Sequence, residues 1–217
     1  MAHGEQLEFV QKVKALFPRQ FSGARVLEIG SLDINGTIRS AFDHCDYTGI
    51  DVAPGKGVDV VSGGEAYDAP GGSFDTVISC ECLEHNPHWK ETFQNMVRLC
   101  KPDGLIVMTC ATMGRPEHGT ARSDPDASPL TVEKGWNYYR NLTPRDFVEA
   151  GLVEPLGAWA FIENWRAYDL YFVGRRQPFD APLREQVDAI ARHYRETSFR
   201  TFKGLKRFVK ARYLLRK

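Results

Sequence analysis

Residues 80–88 read CECLEHNPH, which packs two cysteines, two glutamates and two histidines into nine positions directly after the apolar run FDTVIS. If the chain turns helical after that run, Glu81, Glu84 and His85 fall at i, i+3 and i+4 and share one face. Carboxylates at that spacing repel, so a cation, a proton or the imidazole has to offset them. A divalent metal meets the requirement. Oxygen-rich ligation with a single imidazole suits Mg²⁺ or Mn²⁺ better than a thiolate-selecting ion, and His118 in GRPEHG is placed to supply a fourth ligand. Cys80 and Cys82 are one residue apart with no second pair at zinc-finger distance, so a structural zinc site is not expected. Without a metal, His85 can act as a general base with Glu84 shaping the pocket. The same residues also read as a buried strand end followed by a solvated His118.

Such groups need a scaffold. In EQLEFVQKVKALF the apolar residues recur at helical spacing and Pro18 follows, predicting a first helix over roughly residues 5–17. ARVLEIG, YTGID, GVDVV and FDTVISC read as strands bounded by turn residues, with TIRSAFDHC as a short helix between the first two. HWKETFQNMVRLC sets Trp89, Phe93, Met96, Val97 and Cys100 on one helical face, and KPDG separates it from the strand LIVMTCAT. In NLTPRDFVEAG, Thr143 caps a helix, Pro144 opens it and Gly151 stops it. GAWAFIE and YDLYFVGRR are two further strands. This alternation predicts an α/β, Rossmann-like, mainly parallel sheet with helices on both faces. The long irregular stretch within residues 113–140 is a candidate lid.

Gly30 ends the first strand and Asp51 ends the second about twenty residues on, where a carboxylate receives ribose hydroxyls in dinucleotide-binding folds. The position two after Gly30 is Leu32, so the glycine-rich pyrophosphate fingerprint is missing and a nicotinamide-dependent oxidoreductase is disfavoured. VLEIGS (26–31), GID (49–51), SFDTVISCECLEH (73–85) and KPDGLIVMT (101–109) together resemble the class I S-adenosylmethionine-dependent methyltransferases, in order and spacing, over residues 24–175. The resemblance implies seven strands, the last antiparallel. It implies S-adenosylmethionine as cofactor, with Gly30 and Ser31 at its methionine part, Asp51 at the ribose, Val52 and the Ser62–Gly63 turn at the adenine, and Cys80 at the rim. Leu32-Asp33-Ile34 departs from the family's second glycine and leaves the loop path open. The E-x-x-E-H pattern with a later histidine is similar to metal-dependent O-methyltransferases of small-RNA termini and of the ubiquinone pathway. That similarity implies Glu81, Glu84, His85 and His118 as ligands, although L-E-H also occurs in relatives that bind no metal.

Methyl transfer to a hydroxyl has to dispose of a proton, which fits a metal or a histidine base at the methyl end and favours O-methylation. Trp136, Tyr138 and Tyr139 in GWNYYRN suit a sugar ring or another polyhydroxylated acceptor, or else anchor the lid. Arg115, Arg122 and Arg140 read as solvated unless an acidic substrate meets them. The 217 residues divide into a methyltransferase domain over 1–178 and a basic helical extension over 179–217. From Arg200 onward there are eight Lys or Arg and no acid, with Phe202, Leu205, Phe208, Val209 and Leu215 as an irregular apolar stripe. Such a segment contacts an anionic membrane, which would make a lipid-linked glycan an acceptor, holds a partner, binds nucleic-acid phosphates, or packs on its own domain with a solvated basic face. The formal net charge is zero, so a nucleic-acid partner is not expected elsewhere. Five cysteines in mostly apolar surroundings, and no ~20-residue apolar run, fit a cytoplasmic protein, soluble or peripheral to the membrane. A catalytically silent domain used for interaction is the alternative to an enzyme, disfavoured by the intact Asp51, Glu81 and Glu84.

Overall fold

A computed structural model describes residues 4–199 and 202–214. Seven strands form one sheet: β1 (Arg25–Ile29), β2 (Asp46–Asp51), β3 (Val60–Val61), β4 (Phe74–Cys80), β5 (Cys100–Ala111), β6 (Ala158–Asn164) and β7 (Asp169–Arg175). Their order is β3-β2-β1-β4-β5-β7-β6. Ladders among β1 to β5 are parallel, and β7 runs antiparallel to both β5 and β6. The helices are α1 (Gly4–Leu16), α2 (Trp89–Leu99), α3 (Pro129–Glu133), α4 (Pro144–Glu149), α5 (Ala181–Phe199) and α6 (Phe202–Leu214).

Alternation along each strand separates two cores, because successive side chains leave a strand on opposite faces. Leu27, Val77, Ile106, Met108 and Phe172 face α2 and α4. Val26, Ile78, Leu105, Val107 and Tyr171 face α1 and α5. α2 commits Trp89, Phe93, Met96 and Val97 to the first core, and Phe93 meets Phe147 of α4 and Phe172 of β7 edge-on. On the opposite face Phe9 of α1 stacks on Tyr171 at 4.5 Å and meets Tyr194 of α5 edge-on.

The expected helix in TIRSAFDHC reduces to a single 3₁₀ turn at Arg39–Ala41. Parallel strands usually cross over through a helix that covers the sheet. Here α1 and α5 occupy that face, so the β1–β2 connection has little left to bury. α4 matches its expectation: Thr143 and Asp146 form a reciprocal capping box, Pro144 opens the helix, and Gly151 follows at φ +69°. KPDG lies inside β5 as an irregularity, the pairing shifting between Phe74 with Cys100 and Thr76 with Leu105.

The order reverses between β1 and β4, whose crossovers leave in opposite directions. A crevice opens beyond the strands' carboxyl ends at such a switch point. Gly30, Asp51 and Glu81 stand at those ends.

Because Phe93 joins α2, α4 and β7 in one contact, Phe93→Ala should cost about 3–5 kcal/mol of stability. Urea unfolding checks this, and a loss below about 1 kcal/mol would show that the site collapses around the truncation.

Candidate active site

The crevice wall is built from three strand ends. Gly30 takes φ +80°, and a Cβ there would lie 2.6 Å from Cβ of Cys82, so only glycine permits this approach between the loops after β1 and β4. Asp51 Oδ2 accepts the Leu32 amide at 3.1 Å and Oδ1 accepts the Val52 amide at 2.8 Å, tying β2 to the loop after β1. Burial raises the pKa of Asp51 against those two bonds. The open loop path is resolved by a neighbour. The Leu32 side chain lies against Gly55, where an added Cβ would come within 2.3 Å of it, and the Asp33 amide donates to the Lys56 carbonyl. A bulky residue stands in the glycine's place because the 54–58 loop yields space to it.

The crevice is lined by Gly30, Leu32, Ile34, Asp51, Glu81, Cys82 and His85, and it is roofed by residues 127–131 of the candidate lid. A smaller polar recess adjoins it, lined by Gln6, Glu28, Gly30, Ser31, Thr37 and Cys80 among others. Ser31 Oγ and Gln6 Oε1 are buried with no hydrogen-bond partner among the described residues. Gln6 reaches in from α1, its amide donating to Thr109 Oγ1 at 3.0 Å. Nothing in the amphipathic pattern of α1 marked Gln6; the one signal was a polar residue at a position where that helix turns inward. Val52 adjoins Asp51, and Ser62 donates its amide to the Asp51 carbonyl with Gly63 next to it; none of the three lines the crevice directly.

Glu81 does not continue into a helix. It sits at φ +51°, a left-handed conformation rare for a side-chain-bearing residue and costly unless its surroundings impose it. Residues Leu83–His85 then form one 3₁₀ turn. The expected i, i+3, i+4 face is therefore replaced by a sharp turn, and Glu81 still lies close enough for its charge to act on Glu84. Glu81 lies 3.8 Å from the Arg115 guanidinium, which also holds Asp169 at 2.6 Å and the Ala167 carbonyl at 2.9 Å. Arg115 is thus an interior counter-charge rather than the solvated residue expected; Arg122 pairs with Glu117 and Arg140 with Asp146.

Glu84, His85 and His118 converge, each offering one ligand atom with all three within 4.8 Å of one another. Of the four expected ligands, these three are brought together, and Glu81 is turned toward Arg115. Glu84 is fully buried; its Oε1 accepts the Ala111 amide at 3.0 Å, while Oε2 has no hydrogen-bond partner among the described residues. His85 Nδ1 is likewise buried without one. His118 Nδ1 lies 3.0 Å from the Pro116 carbonyl, so that nitrogen carries the proton and Nε2 is left as the acceptor. The rings of His85, His118 and Tyr139 meet at 4.9–5.5 Å. Burial, then the charge of Glu81, raises Glu84 well above the carboxylate range. Burial, then His118, pushes His85 down to about 3, and burial also lowers His118. Two neutral imidazoles and a carboxyl with a spare oxygen form a donor set that fits a divalent cation. His88 meets Trp136 edge-on at the entry to α2, and Trp89 lies in the core.

Residues 1–123 match the methyltransferase-domain family. The chain belongs to that family, and its fold is that of the class I S-adenosylmethionine-dependent methyltransferases. No curated protein matches the chain in sequence. Among solved structures it is similar to Haemonchus contortus phosphoethanolamine N-methyltransferase 2 in complex with phosphomonomethylethanolamine and S-adenosylhomocysteine. That match has a TM-score of 0.53 and 16% identity, over 78% of this chain and 52% of that one, so this chain spans about half its length. The same worm enzyme has been solved with S-adenosyl-L-methionine. The YcgJ protein of Bacillus subtilis matches with TM-score 0.53 and 12% identity, over 82% of this chain and 100% of its own. A Burkholderia thailandensis 1,6-didemethyltoxoflavin N1-methyltransferase matches with TM-score 0.50 and 13% identity, over 82% and 92%. At these identities the likeness establishes the fold.

Two predictions follow from this geometry. Gly119 has φ +63°, and a Cβ there would lie 2.6 Å from His85 Cε1 and 2.7 Å from Ser128 Cβ. Gly119→Ala should push His85 away from His118, visible as a change in both histidine ring signals by NMR; unchanged signals would mean the lid absorbs the methyl group. Glu28 is raised to about 7, chiefly by burial, against the Tyr47 hydroxyl that donates to it at 2.8 Å. Its folded pKa exceeds the ordinary 4.5, so the folded state holds the proton more tightly, and stability falls as pH rises from about 4.5 through 7. Glu28→Gln should therefore gain stability relative to the parent between pH 5 and pH 8, measured by urea midpoints. An unchanged difference across that range would contradict the assignment.

Proposed function

We propose that this protein O-methylates a hydroxyl of a glycan or another polyhydroxylated small molecule, and that Glu84, His85 and His118 receive the acceptor at the methyl end of the cofactor crevice. The observation that carries the reading is the convergence of these three side chains, with Glu84 Oε2 and His85 Nδ1 buried and lacking hydrogen-bond partners. A buried polar atom left unmet costs free energy, so the site calls for a hydroxyl, a cation or both.

S-adenosylmethionine, when bound, supplies a methyl group already activated on a sulfonium sulfur. The residues that fit it are Gly30, through a cradle that a Cβ would fill; Ser31 and Gln6, through buried atoms open to its amino-acid end; and Asp51, through lone pairs left for ribose hydroxyls. Val52, Ser62 and Gly63 flank the adenine side, and Cys80 with Glu28 closes the recess below. Alignment is the main task left to the protein, because in-line approach of the acceptor lowers the barrier through orientation.

Removal of the acceptor proton falls to the cluster. An imidazole driven to about 3 is a poor base at neutral pH, which weighs against His85 acting alone and favours a site completed by a cation. A divalent cation held by Glu84, His85 and His118 would lower the pKa of a hydroxyl placed on it. Two imidazoles with one carboxylate move the preference from Mg²⁺ toward Mn²⁺ or another imidazole-accepting ion. Tyr139, packed on both histidine rings, gives a sugar-like acceptor an aromatic wall.

The test is transfer of labelled methyl from S-adenosylmethionine to polyol and glycan acceptors, with Mn²⁺, with Mg²⁺ and with chelator, beside calorimetry with S-adenosylhomocysteine. His85→Ala and His118→Ala should each lower kcat by roughly 10²-fold or more while leaving nucleoside affinity intact. Asp51→Ala should weaken that affinity about tenfold or more. Turnover untouched by chelation would remove the cation, and a methylated nitrogen or sulfur in the product would overturn the hydroxyl reading.

A further inference from the structure

The charge of this chain is unevenly placed. Residues 200–217 hold eight Lys or Arg and no acid, so the preceding 199 residues carry a net formal charge of −8 beneath an overall balance of zero. α6 runs through this basic segment. Its inner side is anchored by Phe208, which meets Trp165 at 5.7 Å and Phe199 at 5.0 Å, while Arg207 lies over the Tyr168 ring at 4.7 Å. Its outer side is apolar. Leu205, Val209 and Tyr213, spaced four residues apart and so on one stripe, are 45%, 59% and 61% exposed. Lys206 and Lys210 stand exposed along that stripe's flank. Leu215 of the expected stripe, and Arg200 at the start of the basic segment, lie outside the described residues.

A helix that merely packed on its own domain would turn the stripe inward. α6 does the reverse, and it does not seal onto the domain: a cavity of about 470 Å³ remains between it, α5 and β6, walled by Phe161, Trp165, Phe199 and Phe208. We propose that α6 docks on an anionic membrane surface, with Leu205, Val209 and Tyr213 entering the boundary of the acyl chains and Lys206 and Lys210 at headgroup level. Lysines whose stems cover apolar surface while their charges reach water suit that depth. A nucleic-acid backbone would use the lysines and leave the apolar stripe without a role. The docking face adjoins the active site's cover, because Trp165 and Tyr168 also pack Met113 at the start of the candidate lid. An acceptor with a membrane-bound portion would thus approach near the lid. The docking itself does not depend on the acceptor or on the metal.

The experiment is co-sedimentation of the full chain with phosphatidylcholine vesicles and with vesicles containing phosphatidylglycerol, with a short single-stranded RNA as the competing partner. Binding should require the anionic lipid and weaken as salt rises. The double variant Lys206→Glu with Lys210→Glu should lower partition on the order of a hundredfold, and Leu205→Glu with Val209→Glu about tenfold or more. Leu205→Ser with Val209→Ser should act in the same direction, and thermal melts confirm that each variant folds. No binding to anionic vesicles, or binding indifferent to the Leu205 and Val209 changes, overturns the proposal. RNA binding lost with the lysines alone would assign the face to nucleic acid instead.

Discussion

Glu81 and Glu84 enter the interior three positions apart, and the burial of these like charges is the constraint around which the carboxyl end of the sheet is arranged. Water, which would screen them at the surface, is largely displaced, so their repulsion must be divided between separation and compensation. What separation there is comes from the left-handed turn at Glu81, although its charge still acts on Glu84. Compensation for Glu81 comes from Arg115, itself fixed by Asp169 at the start of β7 and by the Ala167 carbonyl. Glu84 faces the two histidines and makes no salt bridge among the described residues, and burial together with the charge of Glu81 favours its protonated form. One turn of backbone thus leaves one glutamate beside an arginine and the other beside two imidazoles.

This arrangement explains why the lid and the sheet behave as one unit at their junction. Arg115 belongs to the first residues of the lid, yet its guanidinium lies among groups from β4 and β7. Tyr168 reinforces the junction: its carbonyl accepts the Thr112 amide at 2.8 Å, and its ring lies against Gly114 where a side chain would not fit. The surroundings of Glu84 and His85 are assembled across a longer sequence distance, with His118 arriving from the lid and Tyr139 from its far end.

Much of the scaffold was legible in the sequence because its signals are local. Five-residue apolar runs ending in Gly30, Asp51 and Cys80 gave the strands, the Thr143–Pro144 start gave α4, and the resemblance supplied seven strands with the last one reversed. The helix after β1 failed to appear because its face of the sheet was already covered by α1 and by α5, the latter more than a hundred residues away, a competition that no local pattern records. The site was legible in composition but not in geometry. Glu84, His85 and His118 were named from spacing, whereas Glu81 meets Arg115, and an isolated arginine in a polar loop carries no mark of reaching inward between two carboxylates. Gln6 was missed for the same reason, since its partner Thr109 lies 103 residues away.

The lid's freedom follows from how its ends are held. Leu142 donates its amide to the Ala111 carbonyl at 3.0 Å and accepts the Thr112 hydroxyl at 2.6 Å, while Asn141 donates to the Arg115 carbonyl at 3.0 Å. The two ends are therefore fastened to each other and to β5, and they cannot separate without breaking buried hydrogen bonds. Between them, Gly119 and Gly135 sit at positive φ, and short loops rather than long helices join the 3₁₀ turn at Pro125–Ala127 to α3. Movement that admits a cofactor to the crevice under residues 127–131 must accordingly arise inside the loop, by displacement of its roof over a fixed base. Since His118 lies on the arm leading to that roof, any such displacement would also carry one of the three converging side chains away from the other two.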